Sequence, residues 1–121
     1  MMFALMLAAA PAEPLAKCPV SAHWRDGLVD TRKMVITPLS NVIDVNDDKL
    51  FWNGKPVEFD TLVGYGTEVA KLRPRPWIKI DASGADCTTL TKVMEAFGDA
   101  AACTPEACMV SRKAIPEGER H

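Results

Sequence analysis

The sequence predicts an α+β fold, a two-layer sandwich in which one mixed sheet carries two helices on one face. Between residues 41 and 101, short apolar segments alternate with two stretches of helical period. These elements follow the order β-β-α-β-α-β, whose last strand–helix–strand unit implies a parallel pair of strands. The chain of 121 residues has the length of one domain.

The first two predicted strands form a hairpin. A turn of sequence Asn-Asp-Asp joins residues 42–45 to residues 49–52, and such residues tolerate the backbone of tight turns. Alternation along the first strand places Ile43 and Val45 on the same face. Pro56 is expected to stop further strand pairing, because proline cannot donate a ladder hydrogen bond.

Two helices follow in the predicted order. The first begins near Phe59, where the apolar period changes to that of a helix, and it ends before Pro74. The second covers residues 88–101 after Asp86, a suitable N-cap residue. The predicted buried stripes are Phe59, Leu62, Val63, Gly66, Val69 and Ala70 in the first helix, and Leu90, Val93, Met94, Phe97, Ala100 and Ala101 in the second.

The third predicted strand, residues 77–80, alternates between two faces. Ile78 and Ile80 are expected to face the helices, which leaves Trp77 and Lys79 on the opposite face. If that face is uncovered, these two residues form an exposed aromatic and cationic partner surface. Burial in a homodimer, or beneath the N-terminal segment, is the alternative.

The chain divides into four predicted segments. Residues 1–16 are typical of a signal peptide, because their apolar stretch is too short to span a bilayer and small residues follow it. Residues 17–39 are an irregular lead-in. Residues 40–113 form the domain, with a last strand at residues 109–112, and residues 114–121 are a flexible polar tail. The expected location is periplasmic or secreted.

Four cysteines fit export into an oxidising compartment, and they allow three connectivities. A helix over residues 88–101 would hold Cys87 and Cys103 roughly 24 Å apart, which is beyond the reach of a disulfide. Cys103 and Cys108 are separated by a four-residue turn. The favoured pairs are therefore Cys103–Cys108 and Cys18–Cys87. Free buried cysteines in a cytosolic protein are the alternative.

Composition and motifs favour a non-catalytic protein. The formal net charge of −2 argues against a nucleic-acid binder. The histidines are His23 and His121, and no arrangement typical of a nucleophilic enzyme, a zinc site or a nucleotide cofactor is present. One alternative is a small exported enzyme or enzyme inhibitor using Asp81, Asp86 and His23. Another is an oligomeric structural protein. Asp81 is better interpreted as a turn residue that bonds local backbone amides.

Three local patterns carry a family resemblance: the hairpin KLFWNGKPV, the strand WIKID and the helix KVMEAFGDA. With them, residues 41–101 resemble the periplasmic domain of the ExbD/TolR biopolymer-transport family. Asp81 matches the aspartate after that domain's third strand, and residues 53–56 match its post-hairpin turn. In the family this domain dimerises and engages partner proteins or the cell wall.

The resemblance implies a binding module without catalytic, cofactor-binding or metal-binding residues. Its expected partner is an envelope protein or peptidoglycan, bound through a sheet edge or a dimer interface. The family's transmembrane helix carries an acidic residue for proton-driven transport, and residues 1–10 contain no counterpart. We therefore expect no integral membrane span and no proton transfer. The four cysteines are also not a family hallmark.

Overall fold

The computed structural model describes residues 18–31 and 34–120, so the predicted signal peptide and His121 lie outside the described residues. One mixed sheet carries two helices, which confirms the predicted α+β fold. The strands are β1 (Arg25–Asp26), β2 (Ser40–Asp47), β3 (Lys49–Trp52), β4 (Lys55–Pro56), β5 (Trp77–Ala85) and β6 (Cys108–Ser111). The helices are α1 (Phe59–Val69) and α2 (Cys87–Ala100), and a 3-10 turn covers Glu117–Glu119.

The strands lie in the order β1-β6-β5-β2-β3-β4 across the sheet. The central strands β2, β5 and β6 run parallel, with Ile80 opposite both Ile43 and Val110. These strands therefore start at a common edge, the amino end of the sheet, and finish at the carboxyl end. The eight residues of β2 separate the two ends by roughly 23 Å.

The helices cover one face of the sheet and enclose the main core. Ile43, Val45, Ile78 and Ile80 point into this core, as alternation predicts. Phe97 of α2 is fully buried, and its ring centroid lies 6.2 Å from that of Trp24 and 6.0 Å from that of Trp52. The Trp24 indole N–H donates to the Met94 carbonyl oxygen at 2.8 Å, so the N-terminal segment is fixed to α2.

Two disulfides pair the cysteines as the sequence predicts. Cys18–Cys87 joins the N-terminal segment to the first residue of α2, and Cys103–Cys108 closes the turn between α2 and β6. The Cα atoms lie 5.6 and 5.7 Å apart, within the usual range for disulfides. Two such bonds fit an oxidising compartment.

The sheet edges differ from the prediction. Pro56 does not stop strand pairing, because Lys55–Pro56 forms an edge strand that pairs antiparallel with β3, and an outermost strand tolerates a missing N–H. Arg25–Asp26 pairs parallel with β6, within the segment expected to be irregular. Each edge strand has two residues and carries charge or proline. These features hinder strand addition at both edges of the described sheet.

Two glycines in α1 give a matched test of its packing. A Cβ at Gly64 would meet no atom within 4 Å, whereas one at Gly66 would lie 3.2 Å from the Phe97 ring and 3.3 Å from its carbonyl oxygen. We expect Gly64→Ala to stabilise the domain by about 1 kcal/mol through helix propensity. We expect Gly66→Ala to destabilise it by about 1 kcal/mol, because the buried ring cannot withdraw. Urea unfolding of both variants measures the difference, and equal shifts would contradict the described contact.

Candidate functional site

The second face of the sheet, away from the helices, is partly covered by the end of the chain. Trp77 and Lys79 lie on this face, but they are only 7% and 2% exposed. The prediction that they form an exposed partner surface is therefore wrong. The predicted flexible tail, residues 114–121, is also different in the structure: its described part, through Arg120, packs on this face. Ile115 is buried there, the Glu119 carbonyl oxygen accepts from Lys79, and the Arg120 guanidinium donates to Asp81.

Lys79 is buried with its charge compensated by the terminal segment. Its ammonium group donates to the Glu119 carbonyl oxygen at 2.6 Å, lies 3.8 Å from the Glu119 carboxylate and 5.8 Å from the centre of the Trp77 ring. Burial lowers the pKa of Lys79, and the Glu119 carboxylate partly opposes this shift. Lys79 is therefore an internal anchor for the chain end.

The buried lysine predicts a pH-dependent contribution to stability. Because its pKa is lower in the folded protein, the unfolded chain binds more protons between that value and 10.5. The contribution of Lys79 therefore becomes more favourable as pH rises through this interval. We expect the unfolding free energy of the wild type, minus that of Lys79→Met, to increase from neutral to alkaline pH in urea titrations. A difference that stays constant or decreases would contradict the described burial.

Two aspartates meet the terminal arginine beside Lys79. Asp44 of β2 and Asp81 of β5 are directly opposite in the parallel ladder. The Arg120 guanidinium donates to both oxygens of Asp44, at 3.1 and 2.9 Å, and to Asp81 at 3.0 Å. The hydrogen bonds to Asp44 raise the pKa of Arg120, and the charges of Asp44 and Asp81 add to this effect. The group is thus a closed ion-pair network.

Both carboxylate oxygens of Asp81 are occupied. One accepts the amide N–H and the hydroxyl of Ser83, at 3.1 and 2.7 Å. The other accepts the amide N–H of Ile115 at 2.9 Å, in addition to the Arg120 guanidinium. Asp81 therefore bonds local backbone, as its sequence context predicts. It also fixes the chain end, which the sequence pattern does not reveal.

The three residues of the enzyme alternative lie in separate local settings. Asp86 caps α2 and accepts the amide and hydroxyl of Thr89, which lower the pKa of its carboxyl group. The His23 amide lies in the N-terminal segment, 3.4 Å from the Ser21 hydroxyl. Neither residue lines the cleft that contains Asp81. Within residues 18–31 and 34–120, no three His, Cys, Asp or Glu side chains are arranged to hold a metal ion.

An open cleft of about 430 Å³ lies on the second face and extends to the carboxyl end of the sheet. We call it the carboxyl-end cleft. Its lining consists of Asp44, Val45, Asn46, Phe51, Gly54, Asp81, Ser83 and Gly84. The side chains of Asn46 and Ser83 are exposed, and Phe51 is half-buried. The cleft therefore offers an amide, a hydroxyl and a carboxylate around one aromatic ring.

Close contact between β2 and β5 shapes this cleft. A Cβ at Gly84 would lie 3.0 Å from the amide oxygen of Asn46, so a larger residue there would displace the Asn46 side chain. The pairing of the two strands also shifts register between Asp44 and Asn46. Such an irregularity re-aims side chains at the end of a ladder.

A second depression, of about 590 Å³, lies along β3 and β4. We call it the hairpin depression. Its lining consists of Asp48, Lys49, Leu50, Phe51, Pro56, Val57, Glu58 and Phe59. Five of these residues are apolar and three are charged, so its floor suits a hydrophobic side chain. It is larger than the carboxyl-end cleft and chemically different from it.

Comparisons with protein-family models, with curated proteins and with solved structures found no match to this chain. The ExbD/TolR resemblance therefore stays a prediction based on the sequence patterns. In the part of the chain that the structure describes, no helix has both the length and the apolar character needed to cross a membrane.

Proposed function

We propose that this protein is an exported, non-catalytic binding module that holds peptidoglycan in the carboxyl-end cleft. The observation that carries the proposal is the lining of that cleft, where polar side chains surround Phe51 on paired strands. Peptidoglycan is rich in hydroxyl and amide groups, and its sugar rings have apolar faces. Sites for such ligands combine a few convergent polar groups with an aromatic surface.

The polar groups of the cleft match this ligand one by one. Asn46 supplies both donors and an acceptor from its amide. The Ser83 hydroxyl donates its proton to Asp81, so its oxygen supplies an acceptor. Asp44 is part of the Arg120 ion pair, but its side chain stays 24% exposed and its oxygens can accept a further hydrogen bond. Because β2 and β5 are central strands, these groups are held on a rigid support.

A non-catalytic role is supported by the state of the two aspartates. General acid–base catalysis needs a carboxyl group that can gain and lose a proton next to the substrate. Asp44 and Asp81 are instead both bound to the Arg120 guanidinium, and Asp81 accepts three further hydrogen bonds. These contacts favour a structural anchor over a catalytic group.

Export is supported by two independent features of the chain. The disulfides Cys18–Cys87 and Cys103–Cys108 fit an oxidising compartment. The N-terminal sequence is typical of a secretory signal. We therefore propose that the protein acts in the periplasm or outside the cell, where peptidoglycan is accessible.

An envelope protein is the second candidate ligand, and the hairpin depression is the observation that favours it. Leu50, Val57 and Phe59 could receive an apolar side chain of a partner, with Lys49 and Glu58 at the rim. The two surfaces share Phe51 but differ in their polar residues, so variants of those polar residues distinguish the candidates.

Co-sedimentation with insoluble, purified peptidoglycan tests the proposal. We expect the oxidised wild-type protein to pellet with the polymer, and the double variant Asn46→Ala/Ser83→Ala to bind about tenfold more weakly through lost hydrogen bonds. The matched control is Lys49→Ala/Glu58→Ala, which removes two exposed side chains from the hairpin depression and is expected to bind like the wild type.

Two results would contradict the proposal. One is a wild-type protein that stays in the supernatant at every peptidoglycan concentration. The other is equal loss of binding in the two double variants, since this would place the contact outside the carboxyl-end cleft. Capture of an envelope protein that depends on Lys49 and Glu58, without peptidoglycan binding, would instead favour the second candidate.

A further inference from the structure

The carboxyl-end cleft lies across three neighbouring strands, and strand pairing arranges its residues in two rows. In the first row, Asp44 of β2 is paired with Phe51 of β3 on one side and with Asp81 of β5 on the other. In the second row, Asn46 is paired with Gly84. Neighbouring strands are roughly 5 Å apart, so roughly 10 Å separates the backbones of Phe51 and Asp81. A short oligosaccharide laid across the strands can therefore reach both rows.

The side-chain amide of Asn46 is exposed and available to a ligand. In the part of the chain that the structure describes, no hydrogen bond joins this amide to another protein group. Asn41 and Asn53 are different, because the Asn53 nitrogen donates to the Asn41 side-chain oxygen at 3.0 Å and the Asn53 oxygen accepts from the Val42 amide at 2.8 Å. Asn46 therefore keeps two donors and an acceptor for a ligand.

An acetamido group complements this amide. It has one N–H donor and one carbonyl acceptor, and a side-chain amide can pair with both through two hydrogen bonds. The Phe51 ring offers an apolar surface to the face of a sugar ring. The Ser83 oxygen can accept from a sugar hydroxyl while its own proton is donated to Asp81. The amide, the apolar face and a hydroxyl of an N-acetylated amino sugar thus each have a partner in the lining.

The charges on and beside the cleft are mainly negative. Asp44 and Asp81 are the charged residues of its lining, which contains no Lys, Arg or His. The Arg120 guanidinium is already bound to both aspartates. The adjoining residues add the carboxylates of Asp47, Asp48, Asp86 and Glu117 and the cations of Lys49, Lys55 and Lys113. Carboxylates therefore outnumber cations here, even with Arg120 counted.

This charge distinguishes the two parts of peptidoglycan, its glycan strands and its stem peptides. Free stem peptides carry more carboxyl groups than amino groups, so they are anionic at neutral pH. A stem carboxylate in the cleft would lose its water beside Asp44 and Asp81 without gaining a cation. The hydroxyl and acetamido groups of the glycan are neutral and do not incur this cost. The charge of the cleft thus favours the glycan over the peptide.

We propose that the carboxyl-end cleft binds the glycan strand of peptidoglycan through an N-acetylated amino sugar, whose acetamido group pairs with Asn46. The inference rests on the proposed function, because it names the part of the polymer that the cleft recognises. It implies that binding does not need the stem peptide. An oligomer of N-acetylglucosamine alone is therefore expected to bind at the same residues.

Amide NMR titrations with three soluble probes test the inference. The probes are the linear trimer of N-acetylglucosamine, the glucose trimer with the same linkage, and the free tetrapeptide stem of peptidoglycan. We expect the N-acetylglucosamine trimer to shift the amides of Asn46 and Gly84 and to bind about tenfold more tightly than the glucose trimer, which lacks the acetamido groups. The tetrapeptide should cause no saturable change.

A charge-matched pair of variants assigns the preference to Asn46. Asn46→Asp keeps the shape of the side chain but replaces its two N–H donors by an oxygen. It should bind the N-acetylglucosamine trimer about tenfold more weakly and the glucose trimer as the wild type does. Asn41→Asp adds the same charge on the same strand and keeps the oxygen that accepts from Asn53, so it should retain the wild-type preference. Urea midpoints of both variants check folding.

Failure of the inference and failure of the proposed function give different results. If wild-type protein pellets with whole peptidoglycan but binds only the tetrapeptide, or binds neither trimer, the inference is overturned and peptidoglycan binding stands. Equal affinity for the two trimers, or a preference that survives in Asn46→Asp, also overturns the inference alone. If neither whole peptidoglycan nor any of the three probes binds, both proposals are wrong.

Discussion

Replacing Cys18 and Cys87 by alanine is expected to lower the unfolding free energy by about 4 kcal/mol. This disulfide closes a loop with a sequence separation of 69, so it strongly restricts the unfolded chain. The Cys103–Cys108 bond closes a separation of only five, and its removal is expected to cost about 2 kcal/mol. The N-terminal segment contains Trp24, so the loss of Cys18–Cys87 also weakens the contact with Phe97.

Urea unfolding of the two double alanine variants measures both losses under identical conditions. The ratio of the two losses in unfolding free energy is more informative than either loss alone. Both variants replace two cysteines that the folded state keeps largely from solvent, so the effects of the substitutions themselves are similar. Equal losses, or a larger loss for Cys103→Ala/Cys108→Ala, would contradict the pairing that the structure describes.

The second large effect is expected for Asp81→Ala, which should destabilise the protein by about 3 kcal/mol. The Asp81 side chain is only 8% exposed, and its removal leaves the Ile115 amide without its acceptor and the Arg120 charge with Asp44 alone. Asp26→Ala is the matched control. Asp26 pairs with Arg112 at the surface and is 55% exposed, so its loss should cost no more than about 1 kcal/mol.

Hydrogen exchange distinguishes the loss of the contact between Asp81 and the chain end from a general loss of stability. In Asp81→Ala the Ile115 amide should exchange at least about a hundredfold faster, since its protection depends on the carboxylate. Amides of the β2–β5 ladder should change only as far as global stability changes. An Ile115 amide that stays as protected as in the wild type would show that the chain end is held by other contacts.

The sequence predicts most of the framework because its signals are local. Alternation in β5 and the apolar stripe of α2 identify their buried faces without knowledge of the rest of the chain. The cysteine pairing follows from the length of one helix. Each of these inferences depends on residues close in sequence, where the periods of strands and helices apply directly.

The second face could not be predicted, because its pairing is not local. Lys79 and Asp81 alternate with Ile78 and Ile80, and this pattern normally indicates a solvated face. Their partners are Glu119 and Arg120, about forty positions later in a segment with few apolar residues. The available signal is the pair of opposite charges on one face of a central strand, which needs compensation if that face is covered.

The carboxyl-end cleft depends on the same non-local packing. Asn46 and Ser83 occur in turn-like sequence and have no motif that marks them as a site. They become neighbours because β2 and β5 pair in parallel across an intervening helix. Identifying the cleft as a ligand site therefore requires the order of the strands across the sheet. The order of the elements along the chain does not determine it.

The measurement that tests the central claim most directly is an amide NMR titration of the oxidised protein with soluble peptidoglycan fragments. The proposed function predicts that chemical-shift changes concentrate at Asn46, Gly54, Ser83 and Gly84, and that they saturate. Absence of any change, or changes confined to the hairpin depression around Lys49 and Val57, would contradict peptidoglycan binding in the carboxyl-end cleft.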